Sequence, residues 1–192
     1  MSMKKIACFG VLALLSSPSL VAAQPVTTVT TVTTGPLPVT GNVPPLCAFG
    51  AIDGTNGRFD LGVLINTSTG LLRTDLAPPT RTITGSWCNS RSSINVSGIL
   101  MTAQGFNTAP PTGFSTGVDF QANATNWTSA PAVFSTGIPT AQTGATQVQT
   151  SPNASNIVLA LSSFATRGGT TLRPVADPSY AGSVTLTLTP TT

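Results

Sequence analysis

The chain has 192 residues, of which 40% are hydrophobic, 7% charged and 6% aromatic, and this length predicts one domain with a short additional segment. It contains neither His nor Glu, and Lys4 and Lys5 are its only lysines. Beyond residue 23 six Arg stand against five Asp, so the formal net charge falls from +3 to +1 and no basic patch indicates nucleic-acid binding. The scarcity of Lys and Glu disfavours a helical protein, whereas abundant Thr, Ser, Gly, Pro, Ala and Val is typical of strands and turns.

Residues 1–23 have the three parts of a secretory signal peptide. The two lysines supply a positive n-region, and residues 6–15 form an apolar run that is too short to span a bilayer. Val21-Ala22-Ala23 places small side chains at the cleavage position, so the mature chain is predicted to start at Gln24. We therefore expect export through the Sec pathway and no membrane span in the mature chain.

Two cysteines, Cys47 and Cys88, remain after removal of the signal peptide, since Cys8 leaves with it. An exported chain with two thiols usually pairs them, and only one pairing exists. The sequence therefore predicts a Cys47–Cys88 disulfide that joins two strands.

Residues 24–36 are of low complexity and contain Val-Thr-Thr three times. Val26, Val29 and Val32 recur every third residue, which is the period of neither a strand nor a helix. Their β-branched side chains, like those of the intervening Thr, nevertheless favour an extended backbone. The segment is predicted to be an extended strand that is ready to pair; the alternative is a disordered linker.

Residues 37–43 form a strand-like pattern in which Leu37, Val39 and Val43 share one face. Pro38 restricts such a strand to the edge of a sheet. The same residues spell the sortase pattern L-P-x-T-G, but sorting signals lie near the C-terminus ahead of an apolar stretch. We attribute this match to the Pro- and Thr-rich composition.

Downstream of Cys47 the chain is a series of short apolar or alternating stretches separated by turns. The clearest, residues 183–189, alternates Val or Leu with Thr, and residues 105–117 have the composition of a loop. No stretch beyond the signal peptide has a helical period. The pattern predicts an all-β fold, an antiparallel β-sandwich, with strands over residues 59–65, 81–88, 94–100, 118–127, 132–134, 156–161 and 183–189.

Motifs with catalytic chemistry are weak. Gly113–Gly117 matches G-x-S-x-G, but a Ser115 nucleophile needs a base, normally His, and the chain has none. The five Asp are scattered, and without Glu, His or a calcium-loop pattern they give little support to an acid–base or metal site. We expect no catalytic residue, no metal, no cofactor and no enzymatic activity.

Four features follow one another along the chain. The first two are a Gly-x-Val run leading to the first Cys (Gly41–Val43 to Cys47) and a short apolar stretch (Phe59–Gly62). The other two are an alternating strand ending in the second Cys (Ile83–Cys88) with the strand after it (Ile94–Gly98), and a closing Tyr-x-Gly-x-Val strand (Tyr180–Thr189). In this order they resemble the subunits of chaperone–usher pili, and among them the spore coat protein U-like, archaic branch. The resemblance covers most of residues 37–190, apart from residues 101–156, which match no part of the pattern.

This resemblance implies an immunoglobulin-like antiparallel β-sandwich that lacks one strand and therefore has an open apolar groove. A periplasmic chaperone would fill the groove first, and the N-terminal extension of the next subunit would replace it at an outer-membrane usher. The product would be a head-to-tail polymer, a pilus or fimbria at the cell surface with a role in adhesion or biofilm. Residues 1–23, 24–42 and 43–192 would then be the signal peptide, the donor extension and the sandwich.

Two registers compete for the donor strand. The Val-Thr-Thr repeat could be the donor, with residues 39–47 as the first strand, or residues 37–43 could be the donor itself. We favour a donor centred on residues 26–37, because Val43 is only four residues from the cysteine that anchors the first strand. The candidate inserting side chains are Val26, Val29, Val32, Leu37 and Val39.

A different class of function is a self-complete secreted β-sandwich that acts as a coat, matrix or binding protein. Residues 24–36 would then be a linker. The two readings differ in whether the sandwich folds alone or needs a strand from elsewhere.

Overall fold

The computed structural model describes residues 33–54, 57–78 and 80–191. The chain divides into two units, Met1–Gly41 and Asn42–Thr192. The predicted signal peptide and three donor candidates, Val26, Val29 and Val32, lie outside the described residues.

The described part of the second unit is almost entirely strands, turns and irregular connections. A short 3₁₀-helix, Thr143–Ala145, leads into one of the strands. The strands are β1 (Cys47–Ala48), β2 (Ala51–Ile52), β3 (Arg81–Cys88), β4 (Ser92–Ala103), β5 (Phe114–Ser115), β6 (Gly117–Thr125), β7 (Ala132–Ser135), β8 (Thr146–Gln149), β9 (Asn153–Thr166), β10 (Arg173–Pro174) and β11 (Tyr180–Pro190).

Nine of these strands form one curled antiparallel sheet in the order β1-β3-β9-β6-β4-β11. β2 pairs with β3, β7 with β6 and β8 with β4, while β10 and β5 form a separate parallel pair. Curling brings side chains from the two halves of the sheet into one core, where Ile83 and Ile157 pack in the same cluster as Ile94 and Val96. The fold is therefore an all-β, sandwich-like structure, which confirms the predicted class.

Six of the seven predicted strands are present. β3 coincides with residues 81–88, and β6 and β7 lie within two residues of the predictions for residues 118–127 and 132–134. β4, β9 and β11 are longer at both ends than the predicted stretches, because pairing with neighbours continues past the residues whose alternation is visible in the sequence.

β3 departs from the clean alternation that the sequence predicts. Its register with β9 shifts between Ile83 and Ser86, and Gly85 between them has a φ of 78°. This bulge lets both Ile83 and Ser86 face the core although they are three positions apart, and Ser86 is only 1% exposed. Gly suits the position because other residues rarely adopt this φ.

The predicted strand over residues 59–65 is wrong. The segment is irregular, and its single ladder contact is the isolated bridge between Ile65 and Leu72. Asp60 Oδ1 accepts the N–H of Gly62 at 2.9 Å, and Gly62 has a φ of 60°, so a local turn replaces the extended backbone. The side chains that pack against the core are Phe59, Leu61 and Leu64.

The strand-like pattern of residues 37–43 is not a strand in this structure either. The described part of the chain N-terminal to β1 is irregular and exposed, and no described strand pairs with it. Leu37 is 81% exposed and Val39 is 97% exposed. Pro38 contributes to this outcome because it has no N–H to donate to a ladder.

The predicted disulfide is confirmed. Cys47 in β1 lies directly opposite Cys88 in β3, and the two sulfurs are bonded. The bond therefore fastens the first strand of the sandwich to the sheet at the end where β3 terminates.

Replacing both Cys47 and Cys88 with Ser is expected to lower the free energy of unfolding by about 4 kcal/mol, because the crosslink closes a loop of about 41 residues in the unfolded chain. Urea unfolding of oxidised wild type, reduced wild type and the double variant measures this. Reduced wild type and the double variant should have the same free energy of unfolding. A double variant as stable as the oxidised wild type would contradict the prediction.

Candidate functional site: an apolar groove beside β11

β11 lies at one end of the sheet order and has a single described partner. β4 pairs with it along its length, from Tyr180 opposite Ala103 to Pro190 opposite Ser92. No strand of the described ranges occupies its other edge. A long strand with one free row of N–H and C=O groups is a template for pairing with another chain.

The side chains of β11 alternate as the sequence predicts. Thr185, Thr187 and Thr189 are exposed, whereas the residues between them point toward the core. The inward side chains are only partly buried, although they pack against the core cluster, and they are Val184, Leu186 and Leu188. The strand thus has an apolar face that is not fully covered.

A groove of ≈ 1270 Å³ opens between the first half of β11 and residues 57–65. Its other lining residues include Met101, Phe120 and Leu161, which come from β4, β6 and β9. The volume exceeds the roughly 300–1,000 Å³ of pockets that hold drug-sized ligands. The groove lining therefore combines the first half of β11 with apolar side chains from three other strands.

Residues 57–65 form the wall opposite β11 and are held mainly by side chains. Phe59 packs against the core, and the Arg81 guanidinium lies 5.7 Å from the centre of its ring. Arg81 Nε also donates to the C=O of Arg58 at 2.7 Å. Near the end of this wall, the C=O of Leu64 accepts the N–H of Arg73 at 2.8 Å.

On the opposite side of the sandwich, the second edge of β4 pairs with β8 over residues 92–95 and with β6 over residues 101–102. Within this side Arg167 lies 2.7 Å from the carboxylate of Asp119, which is 8% exposed, and the Thr136 hydroxyl donates to the same carboxylate at 2.9 Å. The buried charge is thereby paired, and it joins the turn after β7 to β6 and β9.

Two glycines bring β11 and β4 together beside the groove. A Cβ on Gly182 would lie 2.7 Å from the C=O oxygen of Ile99, and one on Gly98 would lie 2.9 Å from that of Ser183. The register between the strands shifts at this point. The Gly of the Tyr-x-Gly-x-Val pattern is therefore required by close approach of the two backbones.

Tyr180 stands at the end of the groove where β11 begins. Its hydroxyl donates to the C=O of Val175 at 2.9 Å. Partial burial raises the pKa of the phenol above its usual value, and the neighbouring carboxylate of Asp177 adds to this effect. That carboxylate accepts the N–H groups of Gly105 and Ser179, each at 2.7 Å, and so fixes the turn that leads into β11.

The residues that the sequence singled out for chemistry have other surroundings. Ser115 is buried in β5, where its hydroxyl donates to the C=O of Gly117 at 3.3 Å and accepts the N–H of Gly117 at 3.2 Å. The described residues contain no group of three or more Cys, Asp, His or Glu side chains placed to hold a metal ion. The absence of enzymatic activity stays a prediction.

Neither Leu37 nor Val39, the two donor candidates within the described residues, lines the groove. Leu37 and Val39 are exposed, and the remaining three candidates lie outside the described residues. Sequence reasoning missed the groove-lining Met101, Phe120 and Leu161, because each belongs to a different strand and only the sheet order brings them together.

Comparison with family models, with curated proteins and with solved structures finds no match to this chain. A search for long apolar helices also identified none able to cross a membrane in the part of the chain that the structure describes.

Tyr180 is the only tyrosine of the chain, so its ionisation can be followed directly by tyrosinate absorbance. In the folded protein we expect a pKa above the usual value of about 10, with a return to about 10 in denaturant. The stability supplied by the neutral phenol is then fully present below about pH 10 and is lost as the pH rises through the folded pKa.

Unfolding of wild type and of Tyr180→Phe across this pH range tests the assignment. No lysine lies beyond residue 5, so few other groups titrate there. Wild type should lose stability relative to the Phe variant as the pH rises. Parallel curves for the two proteins would show that Tyr180 is not responsible.

Proposed function

We propose that this protein is a structural subunit of a secreted surface fibre, a pilus or fimbria that assembles by donor-strand complementation. The observation that carries the proposal is the groove beside β11, where a free strand edge and an incompletely covered apolar face coincide. A β-strand with apolar side chains on one face, added from another chain, would pair with the free edge and cover the apolar face at once.

The strand order supports the immunoglobulin-like part of the proposal. An immunoglobulin-type sandwich has strands in the order A-B-E-D in one sheet and C-F-G in the other. Here β1, β3, β9 and β6 follow the first order, and β4 and β11 follow C and F. In this assignment the free edge of β11 corresponds to the place of strand G, which an added strand would take.

One smaller feature agrees with this assignment. Tyr180, at the start of the strand in position F, donates from its hydroxyl to a backbone C=O five residues upstream, in the manner of the tyrosine corner found in immunoglobulin-like domains.

The N-terminal extension has the chemistry of a suitable occupant. Residues 24–46 contain no charged side chain, so their insertion buries no charge. Each apolar side chain that passes from water into the groove stabilises the contact by roughly 1.5–3 kcal/mol. Residues 26–35 are free of Pro, so each of them can donate its N–H to a ladder, which favours the register centred on residues 26–37.

The proposed partners follow from the same physics. An open groove exposes an apolar surface from the moment of export, so a periplasmic chaperone would cover it until an outer-membrane usher brings the next subunit. Because each subunit gives its extension to one neighbour and receives one from another, assembly is head-to-tail and does not close. The fibre would end at the cell surface and serve adhesion or biofilm formation.

One observation favours the alternative of a self-complete coat, matrix or binding protein. Phe59, Leu61 and Leu64 of the chain's own wall segment already pack against the core and cover part of it. In that case the groove would bind a different ligand or receive no strand from a neighbour. The purified domain would be a stable monomer without any chaperone.

Aspartate substitutions in the extension test the proposal and its register. In an extended strand Val26 and Val32 share one face, whereas Leu37 and Val39 share the opposite one. With the favoured register, Val26→Asp combined with Val32→Asp should abolish fibres, because charges would enter an apolar groove. Leu37→Asp combined with Val39→Asp should do so if residues 37–43 are the donor.

Thr33→Asp is the matched control for the first pair and Thr40→Asp for the second, since each adds a charge on the face that would point away from the groove. Electron microscopy and SDS-resistant ladders on gels report assembly. If both pairs assemble like wild type, or if wild type is a stable monomer without a chaperone, the self-complete sandwich is the correct interpretation.

A further inference from the structure

We infer that Asn89 is a positioning residue that fixes the root of the N-terminal extension and so prepares it for insertion into a neighbour. The inference rests on the proposed function. It concerns residues 44–46, which immediately precede β1, and the turn that follows β3.

Both polar atoms of the Asn89 side-chain amide form hydrogen bonds with the backbone of the root. Its side-chain Oδ1 accepts the N–H of Leu46 at 2.7 Å, and its Nδ2 donates to the C=O of Pro44 at 2.9 Å. The backbone N–H of Asn89 donates to the C=O of Leu46 at 3.0 Å. Three hydrogen bonds therefore tie one exposed residue to a three-residue stretch that has no ladder partner of its own.

The surroundings make this attachment a rigid one. Cys47 follows Leu46 and Cys88 precedes Asn89, so the disulfide lies directly beside the three hydrogen bonds. The root is thereby tied to β3 by a covalent bond as well. Pro44 and Pro45 have a fixed φ and no N–H, so the N–H of Leu46 is the first donor available after them. Asn89 uses this donor and one of the two proline carbonyls.

A fixed root has a consequence for assembly that a merely stable turn would not have. A donor segment that is held on an ordered root samples fewer orientations than one on a mobile root, so it loses less conformational entropy when it inserts. With residues 44–46 already fixed, the extension leaves each subunit in one direction. Asn89 thus affects the rate of insertion and the angle between successive subunits, while leaving the groove itself unchanged.

The test compares the full mature chain carrying Asn89→Ala, Asn89→Asp or Ser90→Ala with wild type. The Ala variant loses both side-chain bonds, and the Asp variant keeps the acceptor for Leu46 but loses the donor to Pro44. Ser90→Ala is the control, because the Ser90 hydroxyl donates only to the adjacent C=O of Arg91. Thiol titration verifies that each variant retains its disulfide.

Three readouts are collected on each protein: amide hydrogen exchange at Leu46, affinity of the groove for a synthetic peptide of residues 24–43, and the rate of fibre formation. In Asn89→Ala we expect faster exchange at Leu46 and unchanged peptide affinity. Assembly should be slower by roughly fivefold, the factor that corresponds to a lost hydrogen bond of about 1 kcal/mol. Asn89→Asp should lie between Ala and wild type, and Ser90→Ala should match wild type.

The outcomes separate this inference from the proposed function. If wild type binds the peptide and assembles but Asn89→Ala assembles at the same rate, the inference is wrong and the function stands. A loss of peptide affinity in Asn89→Ala would also overturn it, since the groove would then depend on Asn89. If wild type neither binds the peptide nor assembles, both are wrong. If Asn89→Ala does not fold, the assembly rates of Asn89→Asp and Ser90→Ala are compared instead. Slower assembly of Asn89→Asp supports the inference, and equal rates overturn it.

Discussion

The free edge of β11 is the constraint on which the rest of this structure depends. β11 has eleven residues and one described partner, β4. The other strands of this sheet with one described partner, β1, β2, β7 and β8, have two to four residues each. The inward face of β11 is apolar and partly exposed, so this long strand has both a free edge and an incomplete cover. On the far side of the sandwich, β4 pairs with β6 and β8 over parts of its length.

A core that is partly uncovered beside β11 needs stabilisation from other contacts. The disulfide supplies it near the end where β11 finishes, because it fastens β1 to β3. Tyr180 and Asp177 supply it at the other end, where they fix the turn into β11 and line the groove. These contacts stabilise the sandwich at both ends of β11 without covering its free edge.

The sequence predicts those elements whose evidence is local. Residues 183–189 alternate because one face meets the core and the other meets water, and this pattern survives in β11. Residues 59–65 have an equally strong strand composition and are not a strand, because the turn at Asp60–Gly62 interrupts the extended backbone. The groove could not be predicted residue by residue. Met101, Phe120 and Leu161 are distant in sequence, and the β3 bulge at Gly85 shifts which side chains face the core.

The wall of residues 57–65 bears on the choice between a fibre subunit and a self-complete domain, because it already covers part of the core that an inserted strand would face. It covers the core through three side chains and has little backbone pairing, so its own contribution comes mainly from apolar burial. An inserted strand adds to similar burial a row of hydrogen bonds to β11, each worth about 0.5–1.5 kcal/mol net. The strand also brings no charge, whereas the wall contains Arg58 and Asp60, which must stay hydrated. An inserted strand would therefore make hydrogen bonds to β11 that the wall does not make, with the wall retained as the second side of the groove. These hydrogen bonds are the physical argument for the proposed polymerisation.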